Sequence, residues 1–183
     1  MADESQLINK AKKLLKLSGF HITQEELSTL KLNDFGLDNL PTEGFAFIDL
    51  LRTELVRVTL MVLQPHQALP QHKHPPYEGE PTGKEESVRT LYGEFRVYDE
   101  GENNAKFAKI PSGKEPYYTS LNEHVLKVGD QYSVAPNTAH WFQAGPDGAV
   151  VIAFQNRVVE DHNIFYDPAS DGCPIPTENT GQY

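Results

Sequence analysis

Residues 71–93, QHKHPPYEGEPTGKEESVRTLYG, decide how the chain is read. They set His72 and His74 two residues apart, follow them with the carboxylate Glu86 and close on Gly93 seven residues later. Side chains at i and i+2 of a β-strand leave on the same face, so an extended segment lets both imidazoles reach one ion. Pro70, Pro75 and Pro76 argue against a helix, since each lacks an N–H and crowds the preceding turn. Two imidazoles and a carboxylate suit Mn, Fe, Ni or Zn. A His-x-His pair alone is an ordinary surface feature, and a fourth ligand is what sets it apart.

Residues 129–142, GDQYSVAPNTAHWF, supply that ligand. A glycine turn leads through a short strand to Pro136 and Asn137. Proline presets one backbone angle and asparagine lets the chain turn back, so a new strand is expected to begin at His140.

In this order, His72-x-His74, Glu86, Gly93, Gly129 and His140 resemble the two motifs of the cupin superfamily. The resemblance implies an all-β fold, a cupin double-stranded β-helix or jelly-roll barrel, with His72, His74, Glu86 and His140 as metal ligands inside it. Two features depart from the general motif. Eleven residues separate His74 from Glu86, a longer gap than usual, and Asn137 stands where the motif has glycine. The second is mild, because asparagine tolerates left-handed backbone.

The longer gap is itself informative. HKHPP, GKEESVRTLYG, PNTAHWFQAG and the later DHNIFYDP are similar to the D-lyxose isomerase group of cupins over roughly residues 20–168. That resemblance implies an aldose–ketose isomerase with a divalent metal, usually Mn2+, with Fe, Co, Ni or Zn as alternatives. It also implies a free-sugar substrate and a homodimer. It thins over 153–161, AFQNRVVED, where such relatives carry an acidic residue followed by Ser and Thr, a departure that bears on substrate choice.

Composition sets wider bounds. The 183 residues fit one domain, and 38% hydrophobic residues suffice for a core. A formal net charge of −10 excludes the broad basic surface that nucleic acid or an acidic membrane requires. The most basic run, KAKKLLK at 10–16, reads as the solvated face of an amphipathic helix. The single Cys173 excludes an internal disulfide framework and suits a reducing cytoplasm. MADES at the start lacks the basic-then-apolar pattern of a signal peptide, and no apolar run is long enough to span a bilayer. A cytoplasmic protein is expected.

Apolar residues at helical spacing predict a helix over 5–17, stopped by Gly19. Thr23 and Glu26 form a capping-box signature for a second helix over 24–30. Strands are expected at 45–51, 55–63, 68–74, 86–99, 123–127, 131–134, 140–144 and 149–156, with turn signals between them and no βαβ pattern. The division expected is a helical segment at 1–40 that packs on the barrel or on a second subunit, a cupin barrel at 41–168 and a tail at 169–183.

Three residues are candidates for moving protons. Lys84, two before Glu86, shares its strand parity, and a nearby ion would lower its pKa; an exposed lysine is the plainer alternative. Asp167 in IFYDP could fold over the barrel mouth, and Glu160, with Asp161, is a weaker version of the same idea. Arg89, of opposite parity to Glu86, reads as structural, and His162 as a candidate for contact with a ligand or the substrate. Of Trp141 and Phe142, which alternate across a strand, one should fill core while the other could line a sugar site. The same four ligands could instead hold Fe(II) in a dioxygenase, or stabilise a sugar-binding module without turnover.

Overall fold

The computed structural model describes residues 4–78, 81–156, 162–170 and 173–174. Among these, helices α1 (Glu4–Ser18) and α2 (Gln24–Ser28) lead into ten strands. The strands are β1 (Lys31–Asn33), β2 (Phe45–Arg52), β3 (Val56–Leu63), β4 (Ala68–Lys73), β5 (Glu86–Asp99), β6 (Asn122–Leu126), β7 (Gln131–Val134), β8 (His140–Asn156), β9 (Ile164–Phe165) and β10 (Cys173–Pro174). One sheet runs in the order β1-β2-β3-β8-β4-β9-β10, and β5 pairs with β6, β7 and β8. The sheet curls on itself, because Met61, Leu69, Phe95, Leu126, Val134 and Phe142, from six different strands, meet in one interior cluster. The all-β jelly-roll expectation holds. No described helix is long and apolar enough to cross a membrane.

The outer face of the sheet is covered by α1. Its Ala11, Leu14 and Leu15 fall on one stripe and pack against Ile48, Leu60 and Val150, so the helix lies on the barrel of its own chain. Helix α2 opens with the capping box expected: Thr23 Oγ1 accepts from Glu26 N at 3.1 Å, and Glu26 Oε2 accepts from Thr23 N at 2.8 Å. The segment after it is not purely helical. Lys31–Asn33 pairs antiparallel with β2, a strand too short to show periodicity in the sequence.

Strands 140–144 and 149–156, expected as separate, are one. Strand β8 pairs with β4 through its first residues and with β3 over 149–156, while β5 follows both halves. Between the halves, Phe95 pairs with Ala144 but Gly93 with Ala149, so 145–148 bulge against Glu94 and the ribbon turns a corner. Pro146, which has no N–H to give a ladder, sits exposed in the bulge and does not end the strand. Gly93 and Gly148 both have positive φ, and a Cβ on Gly93 would lie 2.1 Å from the Gly148 carbonyl oxygen. Gly93→Ala therefore combines about 1–2 kcal/mol of left-handed backbone cost with about 1–3 kcal/mol of overlap. At roughly 2–4 °C per kcal/mol, thermal unfolding should show Tm lower by ~4–20 °C. A Tm within two degrees of the parent would mean that the corner relaxes freely.

Candidate active site

Strand β4 is bulged where it meets β8. Leu69 pairs with Phe142 and His72 with His140, so Pro70 and Gln71 together oppose Trp141. The extra residue re-aims the strand and puts His72 directly beside His140. Gln71 is satisfied by its neighbours: Oε1 accepts from the Thr119 and Ser120 amides at 2.8 and 2.9 Å, and Nε2 donates to Thr119 Oγ1 at 2.9 Å. His74 follows β4 at once, and its carbonyl accepts from Asn137 N at 3.1 Å, which ties the two motif loops together. Asn137 adopts φ 57°, the left-handed conformation expected where the general motif has glycine.

Glu86 opens β5, opposite Gln155 of β8, and His140 opens β8, opposite Asp99 of β5. One ligand atom from each of His72, His74, Glu86 and His140 lies within 4.8 Å of the others, and all four residues are buried. Each imidazole has an oxygen on Nδ1. His72 donates to the Pro70 carbonyl at 2.9 Å, His140 to the Thr138 carbonyl at 2.8 Å and His74 to Asn163 Oδ1 at 2.6 Å. With Nδ1 engaged in this way, Nε2 of each ring is the atom left to face the centre. Burial, reinforced by His140 and His74, holds the His72 imidazolium well below its ordinary range. Burial and then Lys84 push His74 down to about 4.

The result is a concentration of electron pairs. His74 Nε2 lies 3.3 Å and His140 Nε2 3.8 Å from the same Glu86 oxygen, and His140 Nε2 is buried without a hydrogen-bond partner among the described residues. Neutral imidazole lone pairs facing a carboxylate repel one another unless a cation lies among them. The donor set therefore fits a divalent ion held by these four side chains, with each imidazole oriented through its other nitrogen.

His72, His74 and Glu86 form part of the wall of a cavity of about 430 Å³, of which His140 is not part. Lys84 lines the same cavity and is buried. Burial pushes its ammonium down to about 8, with Glu86 opposing and Arg57 adding to the shift. Gly83 lets the chain return this closely: at φ +75°, its Cβ would lie 2.4 Å from the His74 carbonyl oxygen. The cavity is otherwise two-sided. Phe35, Phe45, Phe47, Phe142 and Phe165 give it apolar surface, and Arg57, Thr59, Gln155 and Asn163 give it polar groups. Arg57 is fixed by both oxygens of Asp49, at 2.6 and 3.2 Å. Gln155 Oε1 is buried with no hydrogen-bond partner among the described residues.

Other candidates lie elsewhere. Asp167 is buried, but its carboxylate is ion-paired with Lys114 and accepts from the Ala169 amide at 2.9 Å; it is not part of the cavity lining. Glu160 and Asp161 lie outside the described residues. His162 is exposed and stacks on Tyr77, with centroids 4.3 Å apart. Arg89 is exposed on the outer face. Trp141 stacks on Tyr98 at 3.9 Å and fills core, whereas Phe142 lines the cavity. Arg57, Gln155 and Asn163 were not singled out from the sequence. Arg57 had a signal, a lone cation in the apolar strand VRVTLMVL, but Asn163 reaches His74 from 89 residues away and had none.

A curled antiparallel sheet enclosing three histidines and a glutamate defines a cupin. No protein-family model matches the chain. The D-lyxose ketol-isomerase of Cohnella laeviribosi is 38% identical over 168 residues, 91% of this chain and 92% of that protein. The D-lyxose/D-mannose isomerase of Thermosediminibacter oceani is 38% identical over 170 residues, 92% and 93% of the two chains. Among solved structures, the L-ribose isomerase of Cellulomonas parahominis superposes with a TM-score of 0.68 at 16% identity, covering 94% of this chain and 96% of that one. That likeness concerns the fold. The chain belongs to the D-lyxose ketol-isomerase family and is a sugar isomerase.

Proposed function

We propose that the protein interconverts a free aldose and its 2-ketose, D-lyxose with D-xylulose and D-mannose with D-fructose, using Mn2+ held by His72, His74, Glu86 and His140. The observation that carries this reading is the convergence of four buried ligand atoms, three of them from residues that line one cavity together with a buried lysine. A homodimer in the cytoplasm is part of the same reading.

The cavity suits a polyol with one apolar face. Sugar C–H groups can lie on the phenylalanine surface while hydroxyls meet Arg57, Asn163 and the vacant acceptor of Gln155. When bound, a divalent ion supplies Lewis-acid stabilisation of negative charge on the sugar oxygens. Lys84, as the neutral amine, takes the proton from C2 of the aldose and returns it to C1. A second proton passes from O2 to O1, so the product differs from the substrate only in where two hydrogens sit. The apolar wall limits water, which would otherwise exchange with the proton in transit.

Mn-loaded protein incubated with a panel of free aldoses and ketoses, read by product chromatography, tests this. D-lyxose should give D-xylulose and D-mannose should give D-fructose. No ketose from any aldose at full metal occupancy would sink the proposal, and oxygen uptake by iron-loaded protein would favour a dioxygenase instead.

A further inference from the structure

The three imidazoles are not held alike. His72 and His140 each donate Nδ1–H to a carbonyl two residues earlier in the chain, an arrangement that comes with local folding. His74 depends on Asn163 Oδ1, delivered by the segment 162–170, which runs as a strap along the edge of β4. This strap pairs with β4, His72 opposite Phe165 and Lys73 opposite Ile164, and Tyr166 N donates to the Gln71 carbonyl at 3.0 Å. Asn163 bonds His74, Phe165 stacks on His72 at 5.3 Å, and Asp167 is anchored by Lys114.

We infer that Asn163 is a positioning residue for the metal centre, and that through it ion affinity and docking of the strap are coupled, an assignment that rests on the centre binding an ion as proposed above. The Asn163 oxygen requires the proton on Nδ1 of His74 and so turns the Nε2 lone pair to the centre. An undocked strap leaves that ring free to rotate or to take the other tautomer. Linkage is reciprocal: whatever factor the docked strap contributes to ion affinity, the ion returns to strap docking.

The test is the dissociation constant for Mn2+, measured by competition with a chromogenic chelator, for the parent, Asn163→Ala, Asn163→Asp and Lys114→Met. Asn163→Ala should bind about 10–100-fold more weakly. Asn163→Asp, which keeps the acceptor, should stay within a few-fold of the parent or bind tighter. Lys114→Met touches no ligand, yet should weaken binding several-fold by loosening the anchor. A merely structural asparagine would lower the Tm of the metal-free variant and leave the dissociation constant unchanged, and that result overturns the assignment. Amide hydrogen exchange on the parent requires no variant to fold: the Tyr166 amide should exchange more slowly with Mn2+ present, and equal rates overturn the coupling. Absence of Mn2+ binding by the parent overturns the metal reading itself and this assignment with it, whereas parent binding matched by Asn163→Ala overturns this assignment alone.

Discussion

Lys84→Met is expected to lower kcat on D-lyxose by about 10²–10⁴-fold, the usual contribution of a positioned acid or base. Methionine keeps most of the lysine stem and its contacts with the cavity wall while removing the titratable nitrogen. Lys84 is not among the four ligands, so ion content should stay at the parent level. The two readouts together separate chemistry from binding. An exposed lysine would not matter, but this one is buried on the wall that carries Glu86. Full ion occupancy with kcat within a few-fold of the parent would remove Lys84 from the mechanism. The proton acceptor would then have to be sought among the other polar groups of the cavity. Asp167 is a poor replacement while Lys114 holds its carboxylate.

His140→Ala should cost most of the bound metal. Parent protein is expected to carry about one transition-metal ion per chain. Spreading the ~10–16 kcal/mol typical of a four-ligand structural zinc site over its ligands gives roughly 2.5–4 kcal/mol for one, a loss of affinity of about 70- to 900-fold. Elemental analysis after dialysis reads this directly. Thermal unfolding supplies an independent measure. An ion at a hundred times its dissociation constant stabilises the parent by about 2.7 kcal/mol, or roughly 5–11 °C, and the variant should show little of that rise. Equal metal content and an equal rise in Tm would exclude His140 as a ligand.

The parts of this site that could be read from the sequence are those whose geometry is local. His72 and His74 are paired by strand parity, His140 is aimed by a Pro-Asn turn three and four residues before it, and Glu86 leads its strand towards Gly93. The capping box at Thr23 and most strand positions were legible for the same reason. What escaped depends on partners distant in the chain. Strands β1, β9 and β10 have only two or three residues, too few for alternation, and exist because β2, β4 and one another offer edges. Asn163 looks like a loop asparagine until β9 brings it to His74. Asp167 looked like a free carboxylate because nothing nearby in sequence announces Lys114. Turn residues around Pro146 suggested a break in what is one strand, and the chain makes a corner there because β5 continues alongside it on both sides.

That corner has a mechanical consequence. Glu86 and His140 stand at opposite tips of the β5–β8 ribbon, about 40 Å apart if it were laid straight, yet their ligand atoms are 3.8 Å apart. The bend at Gly93 and Gly148 works like the spring of a pair of tongs whose jaws carry one ligand each. An ion between the jaws is a clasp. The resting gap follows from the angle of that bend, and the cost of changing it from the stiffness at two glycines remote from the site.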